Sequence, residues 1–215
     1  ANGVMVTNTW VKVVNEDQDD EDDPAEYHYY YMQSNGKAYK GDGSSVSKKV
    51  IDGKRYAFDE DGKMLYGWVN EDDSTLASDD SDWETATYYM GSWEDGSLKT
   101  GWQKITVYDQ DEDDDYDYWF NFKSNGKRAE NEKITYKNKS YYFDSDGKML
   151  TGWVTYDSNA VDEANDFVDG KTFYCDETGA RLEKNWVYSV EPGVEDDDAD
   201  ADEYWYYFKS SGKAQ

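Results

Sequence analysis

Histidine, cysteine and proline are nearly absent from this chain: one, one and two in 215 residues. A single histidine, His28 inside Tyr27-His28-Tyr29, and a single cysteine leave almost no material for Ser-His-Asp or Cys-His catalysis. The lone Cys175 excludes an intramolecular disulfide, and its place in Thr172-Phe173-Tyr174-Cys175 reads as a small buried apolar filler. His28 reads as a strand-surface residue. Apolar residues make up only 37% and aliphatic side chains are few, so one thick central core cannot form. No apolar run approaches the length of a membrane span, and the first residues do not read as a signal peptide. Glycine-rich phosphate loops and zinc-ligand spacings are missing. Positive charge is scarce too: 22 Lys+Arg stand against 49 Asp+Glu, a net charge of −27. That balance repels nucleic-acid phosphates and anionic lipid, and admits cationic ligands, metal ions or basic proteins.

What the chain has is rings: 21 Tyr, 9 Trp and 7 Phe. Such a composition builds a thin core from amphipathic aromatics repeated along an axis, and argues against disorder despite the charge. The repeat is visible. Tyr141-Tyr142-Phe143-Asp144-Ser145-Asp146-Gly147-Lys148-Met149-Leu150-Thr151-Gly152-Trp153 is matched 85 residues earlier by Tyr56-Ala57-Phe58-Asp59-Glu60-Asp61-Gly62-Lys63-Met64-Leu65-Tyr66-Gly67-Trp68. A β-prone aromatic run, an Asp-x-Asp-Gly turn and a return ending in Gly-Trp describe a β-hairpin of about a dozen residues, too small to stand alone. Such units must stack.

In order, hairpins are expected near 27–40, 54–68, 86–102, 118–130, 139–153, 171–186 and 204–215, forming one array over 1–215. The half-units at the two ends, finishing at Trp10 and just past Ser211-Gly212-Lys213, suggest a segment of a longer protein. Acidic stretches (16–23, 70–84, 109–117, 157–169, 195–203) fall between a Trp and the next aromatic run. Two basic connections, 37–55 and 127–139, lack the Gly-Trp. Connections therefore cycle acidic, basic, acidic, one set per roughly 85 residues. The fold class is all-β, with no clean 3.6-residue periodicity anywhere.

The run Trp205-Tyr206-Tyr207-Phe208-Lys209-Ser210-Ser211-Gly212 resembles the first half of a choline-binding, or cell-wall-binding, repeat of Gram-positive surface proteins. Gly147-Lys148-Met149-Leu150-Thr151-Gly152-Trp153 resembles the second half. Both are also similar to glucan-binding repeats of secreted glucosyltransferases and to repeats of large clostridial toxins. The resemblance implies a β-hairpin solenoid of about seven stacked repeats, three hairpins per superhelical turn. It further implies ligand pockets between hairpins, walled by the Trp of Gly-Trp, an aromatic of the next run and a ring from the hairpin after it. Ring faces of that kind hold a quaternary ammonium by cation–π attraction, worth about 0.5–2 kcal/mol per contact, and can stack on sugars as well. Carried over by position, the pairs are Trp102 with Trp119 and Trp186 with Trp205. Less complete are Trp10 with Tyr29, Trp68 with Tyr88, and Trp153 with Phe173, while Met64 and Met149 occupy a Met position that lines the pocket.

The alternating carboxylates Asp111, Asp113 and Asp115, and Asp198, Asp200 and Asp202, are candidates for weak calcium binding, although neither group has EF-hand spacing. No other cofactor is expected. The reading is a non-catalytic, extracellular binding module, secreted or attached to a bacterial surface, that recognises choline-bearing polymer or another cell-wall glycan. The alternative is a structural spacer or adhesin stalk whose acidic edges meet a protein or cationic partner.

Overall fold

The computed structural model describes residues 3–16, 23–72, 82–110, 113–158, 160–194 and 201–215. They are all-β: the described residues hold no α-helix, only a 3-10 turn at Asp82–Glu84. Among the described residues no helix is long and apolar enough to cross a membrane. β1 (Thr9–Val14) pairs antiparallel with β2 (Tyr27–Met32), β3 (Lys49–Ile51) with β4 (Lys54–Tyr56), and β5 (Trp68–Val69) with β6 (Tyr88–Tyr89). β7 (Gly101–Asp109) turns back into β8 (Asp114–Phe122), where the β7 side chains Lys104 and Thr106 both reach Asp117, at 2.8 and 2.6 Å. β9 (Glu132–Tyr136) pairs with β10 (Lys139–Phe143). β11 (Gly152–Asp157) lies between β12 (Ala160–Glu163) and β13 (Thr172–Cys175), and β14 (Asn185–Ser189) pairs with β15 (Tyr204–Phe208).

These ladders are not where the turn signals put them. The strands flanking six of the glycine turns (Asn-Gly, Asp-Gly, Thr178-Gly179 and Ser211-Gly212) meet at one bridge only: Met32↔Ala38, Phe58↔Met64, Phe122↔Arg128, Phe143↔Met149, Cys175↔Arg181 and Phe208↔Ala214. The extended pairing instead joins each Gly-Trp strand to the next aromatic run, across the intervening connection. The acidic stretches therefore run between paired strands; of their described residues, Asp114–Asp117 belong to β8 and Ala160–Glu163 form β12 as an extra strand. The two basic connections close with two residues, Asp52-Gly53 and Lys137-Asn138, all at positive φ, the backbone that a tight hairpin turn demands.

The reason for the early parting is where the next amide goes. Two residues past the turn glycine, at five of the turns, the backbone N–H donates to the carbonyl of the preceding unit, not to its own partner strand. The bonds are Met64 to Tyr29, Leu98 to Arg55, Arg128 to Thr87, Met149 to Trp119 and Arg181 to Ser140, all 2.8–2.9 Å. The turn itself is held by its first side chain. Asp59, Asp144 and Asp176 each accept two backbone N–H groups through Oδ1, which is why Asp opens the turn.

The chain divides into two compact units, residues 1–117 with 122–128, and residues 118–121 with 129–215. Their cores are strings of small clusters. In the first unit Ala57, Leu65, Val69, Tyr88 and Met90 form one, and Ile51, Tyr56, Phe58 and Met64 another. In the second, Tyr142, Leu150, Val154, Val161, Phe173 and Cys175 pack together. Cys175 is the buried filler its neighbours suggested; burial first, then the Asp176 carboxylate, push its thiol up to about 12.

Met64 is buried, and its sulfur lies 2.3 Å from where a Cβ on Gly96 would stand; Met149 meets Gly179 at the same distance. Both glycines have φ near +60 to +80. Turn and Met position are thus a single packing device, in which the missing side chain admits the Met of the unit before. Replacing Gly96 by Ala is expected to destabilise the fold by about 1–3 kcal/mol, since strain and overlap add. Gly152 has positive φ but open space around it, so Gly152→Ala should cost only about 1 kcal/mol. Urea titration of both variants reads the difference.

Candidate functional site

An antiparallel ladder puts directly opposite residues side by side on one face. Here the opposite pairs are Trp10↔Tyr31, Trp68↔Tyr89, Trp153↔Tyr174 and Trp186↔Tyr207. In three cases a ring from the following run closes the group. Trp10 has Tyr31 at 5.4 Å and Phe58 at 5.8 Å between centroids. Trp68 has Tyr89 at 5.0 Å and Phe122 at 5.9 Å. Trp153 has Tyr174 at 5.0 Å and Phe208 at 5.8 Å. The same three-ring box recurs at three places along the chain.

Two of these boxes are filled by the chain's own side chains. Trp83, from the second acidic stretch, is only 4% exposed; its ring lies 6.2 Å from Trp68 and its Nε1 donates to the Tyr108 carbonyl at 2.9 Å. The Arg128 guanidinium also sits over Trp68, 5.6 Å from the ring centroid. Trp153 is 8% exposed. Phe167, from the fourth acidic stretch, meets it edge-on at 5.1 Å, Tyr206 does so at 4.8 Å, and its Nε1 donates to the Val190 carbonyl at 2.8 Å.

The β14–β15 hairpin is different. Trp186 and Tyr188 on one strand face Tyr207 and Trp205 on the other, all on a single side. Trp186 is 57% exposed and Trp205 66%. The rings contact edge-on or tilted, Trp186–Tyr207 at 5.1 Å, Tyr188–Trp205 at 5.1 Å and Trp186–Trp205 at 6.5 Å. Beside them runs a groove of about 520 Å³ whose walls include Tyr174, Trp186 and Tyr188, with Asp176 and Glu177 at its side. Ring faces with carboxylates close by suit a cation.

This arrangement can be set against known proteins. No family model matches the chain. It is 28% identical over 185 residues to glucosyltransferase-S of Streptococcus mutans, which is 86% of this chain and 9% of that protein. Over 94 residues, 44% of this chain and 10% of the other, it is 29% identical to a Streptococcus pneumoniae protein named as an endo-beta-N-acetylglucosaminidase. The crystal structure of CbpF, choline binding protein F, in complex with ipratropium superposes over 98% of this chain and 49% of that one, with TM-score 0.56 and 21% identity. The fold is that of a choline-binding repeat protein. The chain spans about a tenth of the two curated relatives and about half of CbpF.

On the choline-binding repeat fold the positions carried over from sequence fall as follows. Trp68, Trp153, Trp186 and Trp205 are on ring clusters. Trp102 is half-buried on β7 and Trp119 is exposed on β8; they belong to different units. Trp186 lies diagonal to Trp205, with Tyr207 directly opposite. Tyr29 shares a face with Tyr31 but has Trp93 as its ring neighbour, at 6.5 Å. Tyr88 and Phe173 are one residue out of register, hence on the opposite face. Tyr88 is buried there, donating to Glu71 Oε1 at 3.0 Å with Lys48 Nζ 3.8 Å from its ring. Met64 and Met149 pack beneath turn glycines.

The rings missed from sequence are Tyr31, Tyr89, Tyr174 and Tyr207, with Phe58, Phe122 and Phe208. Strand alternation counted from each Gly-Trp would have found them. His28 is not simply on the surface: its Nε2 is 2.8 Å from Asp23 Oδ2, and Asp23 also accepts from Tyr66 at 2.8 Å. Of the calcium candidates, Asp111, Asp198 and Asp200 lie outside the described residues. Asp113 instead accepts from the Tyr108 hydroxyl, and among the described residues no group of three His, Cys, Asp or Glu is placed to hold a metal ion.

Filled and open rings should behave differently. Trp153→Ala is expected to cost about 3–5 kcal/mol of stability, as for other buried large-to-small changes. Trp186→Ala should cost about 1 kcal/mol or less. Chemical denaturation of the two variants side by side checks the contrast.

Proposed function

We propose that this chain is a non-catalytic binding module of a secreted or surface-attached bacterial protein, recognising choline-bearing polymer or another cell-wall glycan. The observation that carries this reading is the four-ring face of Trp186, Tyr188, Trp205 and Tyr207, which holds the two most exposed tryptophans among the described residues. Exposed indoles cost solvation with no structural return, and large exposed aromatic groups mark binding surfaces. The neighbouring Asp176 and Glu177 favour a cationic group in the ligand. The names of the relatives, a choline binding protein, a glucosyltransferase and an endo-beta-N-acetylglucosaminidase, agree with that class. Binding is proposed to need no resident cofactor, and calcium to act at most weakly through the acidic loops.

A second reading applies to the rest of the array. Acidic loops deliver Trp83 and Phe167 into the Trp68 and Trp153 boxes, which is what a spacer would do with its rings. We therefore read those units as a scaffold that holds the open face, with three hairpins per superhelical turn as the proposed geometry. Its acidic loops remain available to a basic protein partner.

Calorimetric titration with choline at low and moderate salt tests the module reading. Saturable heat is expected, abolished by Trp186→Ala or Trp205→Ala and left intact by Phe167→Leu. An absence of heat at millimolar choline would remove choline as the ligand, and silence on a cell-wall glycan array as well would leave only the spacer.

A further inference from the structure

Arg128 occupies an unusual place. It bridges to Phe122, the last ring of its run, as Met64 bridges to Phe58 and Met149 to Phe143. An apolar side chain suits that register position, yet here it is a guanidinium only 4% exposed. Burying such a charge is costly unless donors and charge are both met. The structure meets them as a ligand site would. The guanidinium carbon is 5.6 Å from the centroid of the Trp68 ring, whose ring neighbours include Tyr89, Phe122 and Trp83. Nη1 donates to the Trp83 carbonyl at 2.6 Å, and Nη2 donates to the Glu84 carbonyl. Those carbonyls come from the 3-10 turn that ends the second acidic stretch.

Arg181 stands at the same register position in the second unit and is handled differently. Its guanidinium lies 5.2 Å from the Phe173 ring but also reaches the Glu183 carboxylate and the Tyr142 hydroxyl. Arginine at this position therefore does not by itself put a cation on a Gly-Trp ring.

We propose that the Trp68 box is a binding site for a guanidinium or alkylammonium cation, occupied in cis by Arg128. The site takes the same class of ligand as the open face, so this inference rests on the reading of the rings as cation-binding. It adds that the Trp68 site is closed to external cations because the chain supplies its own, and that the bound side chain fastens the second acidic loop to the array.

Vacating the site tests it. Arg128→Ala removes the cation and leaves space; Arg128→Met removes the cation but fills the space with the residue found at positions 64 and 149. Both are made in the full chain carrying Trp186→Ala and Trp205→Ala, so that the open face is silent. Thermal midpoint and tryptophan fluorescence are followed in ethylguanidinium chloride and tetramethylammonium chloride, with sodium chloride at equal ionic strength as control. Arg128→Ala is expected to lose stability and regain several degrees in either organic cation, because a ligand that binds only the folded state raises the midpoint. Arg128→Met, and Arg128→Ala combined with Trp68→Ala, should show no such rise.

If Arg128→Ala responds no more than Arg128→Met, or is unfolded and stays so at every concentration of both cations, the inference is overturned. A chain with Trp186 and Trp205 intact that binds choline, alongside an unresponsive Arg128→Ala, sinks this inference alone. The converse pattern, neither choline nor cell-wall glycan binding at the open face but a gain in Arg128→Ala, sinks the functional reading alone.

Discussion

Everything in this molecule follows from one backbone hydrogen bond that leaves its own strand. Two residues after the turn glycine, at five of the turns, the amide crosses to the unit before, as from Met64 to Tyr29 and from Met149 to Trp119. That crossing ends the pairing around the turn after a single bridge and frees the Gly-Trp strand to pair forward with the next aromatic run. It also brings the side chain at the Met position over the next turn, where only a glycine leaves room. Because the crossing recurs, rings from three consecutive runs converge, and Trp68, Tyr89 and Phe122 meet as Trp153, Tyr174 and Phe208 do. A chain with so few aliphatic residues can be stable this way, since aromatic pairs contribute about 0.5–1.5 kcal/mol each beyond the area they bury.

The repeat, its turns, the all-β class and the buried character of Cys175 were legible in the residues themselves, because glycine, Asp and aromatic runs act locally. Pairing was not. An Asn-Gly or Asp-Gly signal says where the chain reverses but not how far the strands stay together, and the amide crossing that separates them is a long-range event. Register suffered for the same reason. Tyr88 and Tyr89 are adjacent and chemically identical, yet only Tyr89 stands opposite Trp68; its neighbour points to the core on the other face. Nor could composition tell that Trp83 and Phe167, lying among carboxylates, would be the rings that fill two of the boxes.

Charge takes on a more specific meaning in the structure. The acidic stretches lie between paired strands, and described residues at their ends reach back into the array: Asp23 to His28 and Tyr66, Glu71 to Tyr88 and Lys127. Several of the scarce cations lie over rings, Lys12 on Tyr27 at 3.4 Å, Lys48 on Tyr88 at 3.8 Å and Lys148 on Tyr118 at 5.1 Å. A protein that places its own cations on its own ring faces leaves few faces for others. What distinguishes the β14–β15 hairpin is therefore exposure more than ring content.

The most direct test of this account is fluorine NMR of the chain labelled with 5-fluorotryptophan, each of the 9 resonances assigned by single substitution and followed during a choline titration. The account predicts that Trp186 and Trp205 shift together and saturate while Trp68 and Trp153 stay where they are. Shifts that begin at Trp68 or Trp153, with Trp186 and Trp205 unmoved, would contradict it.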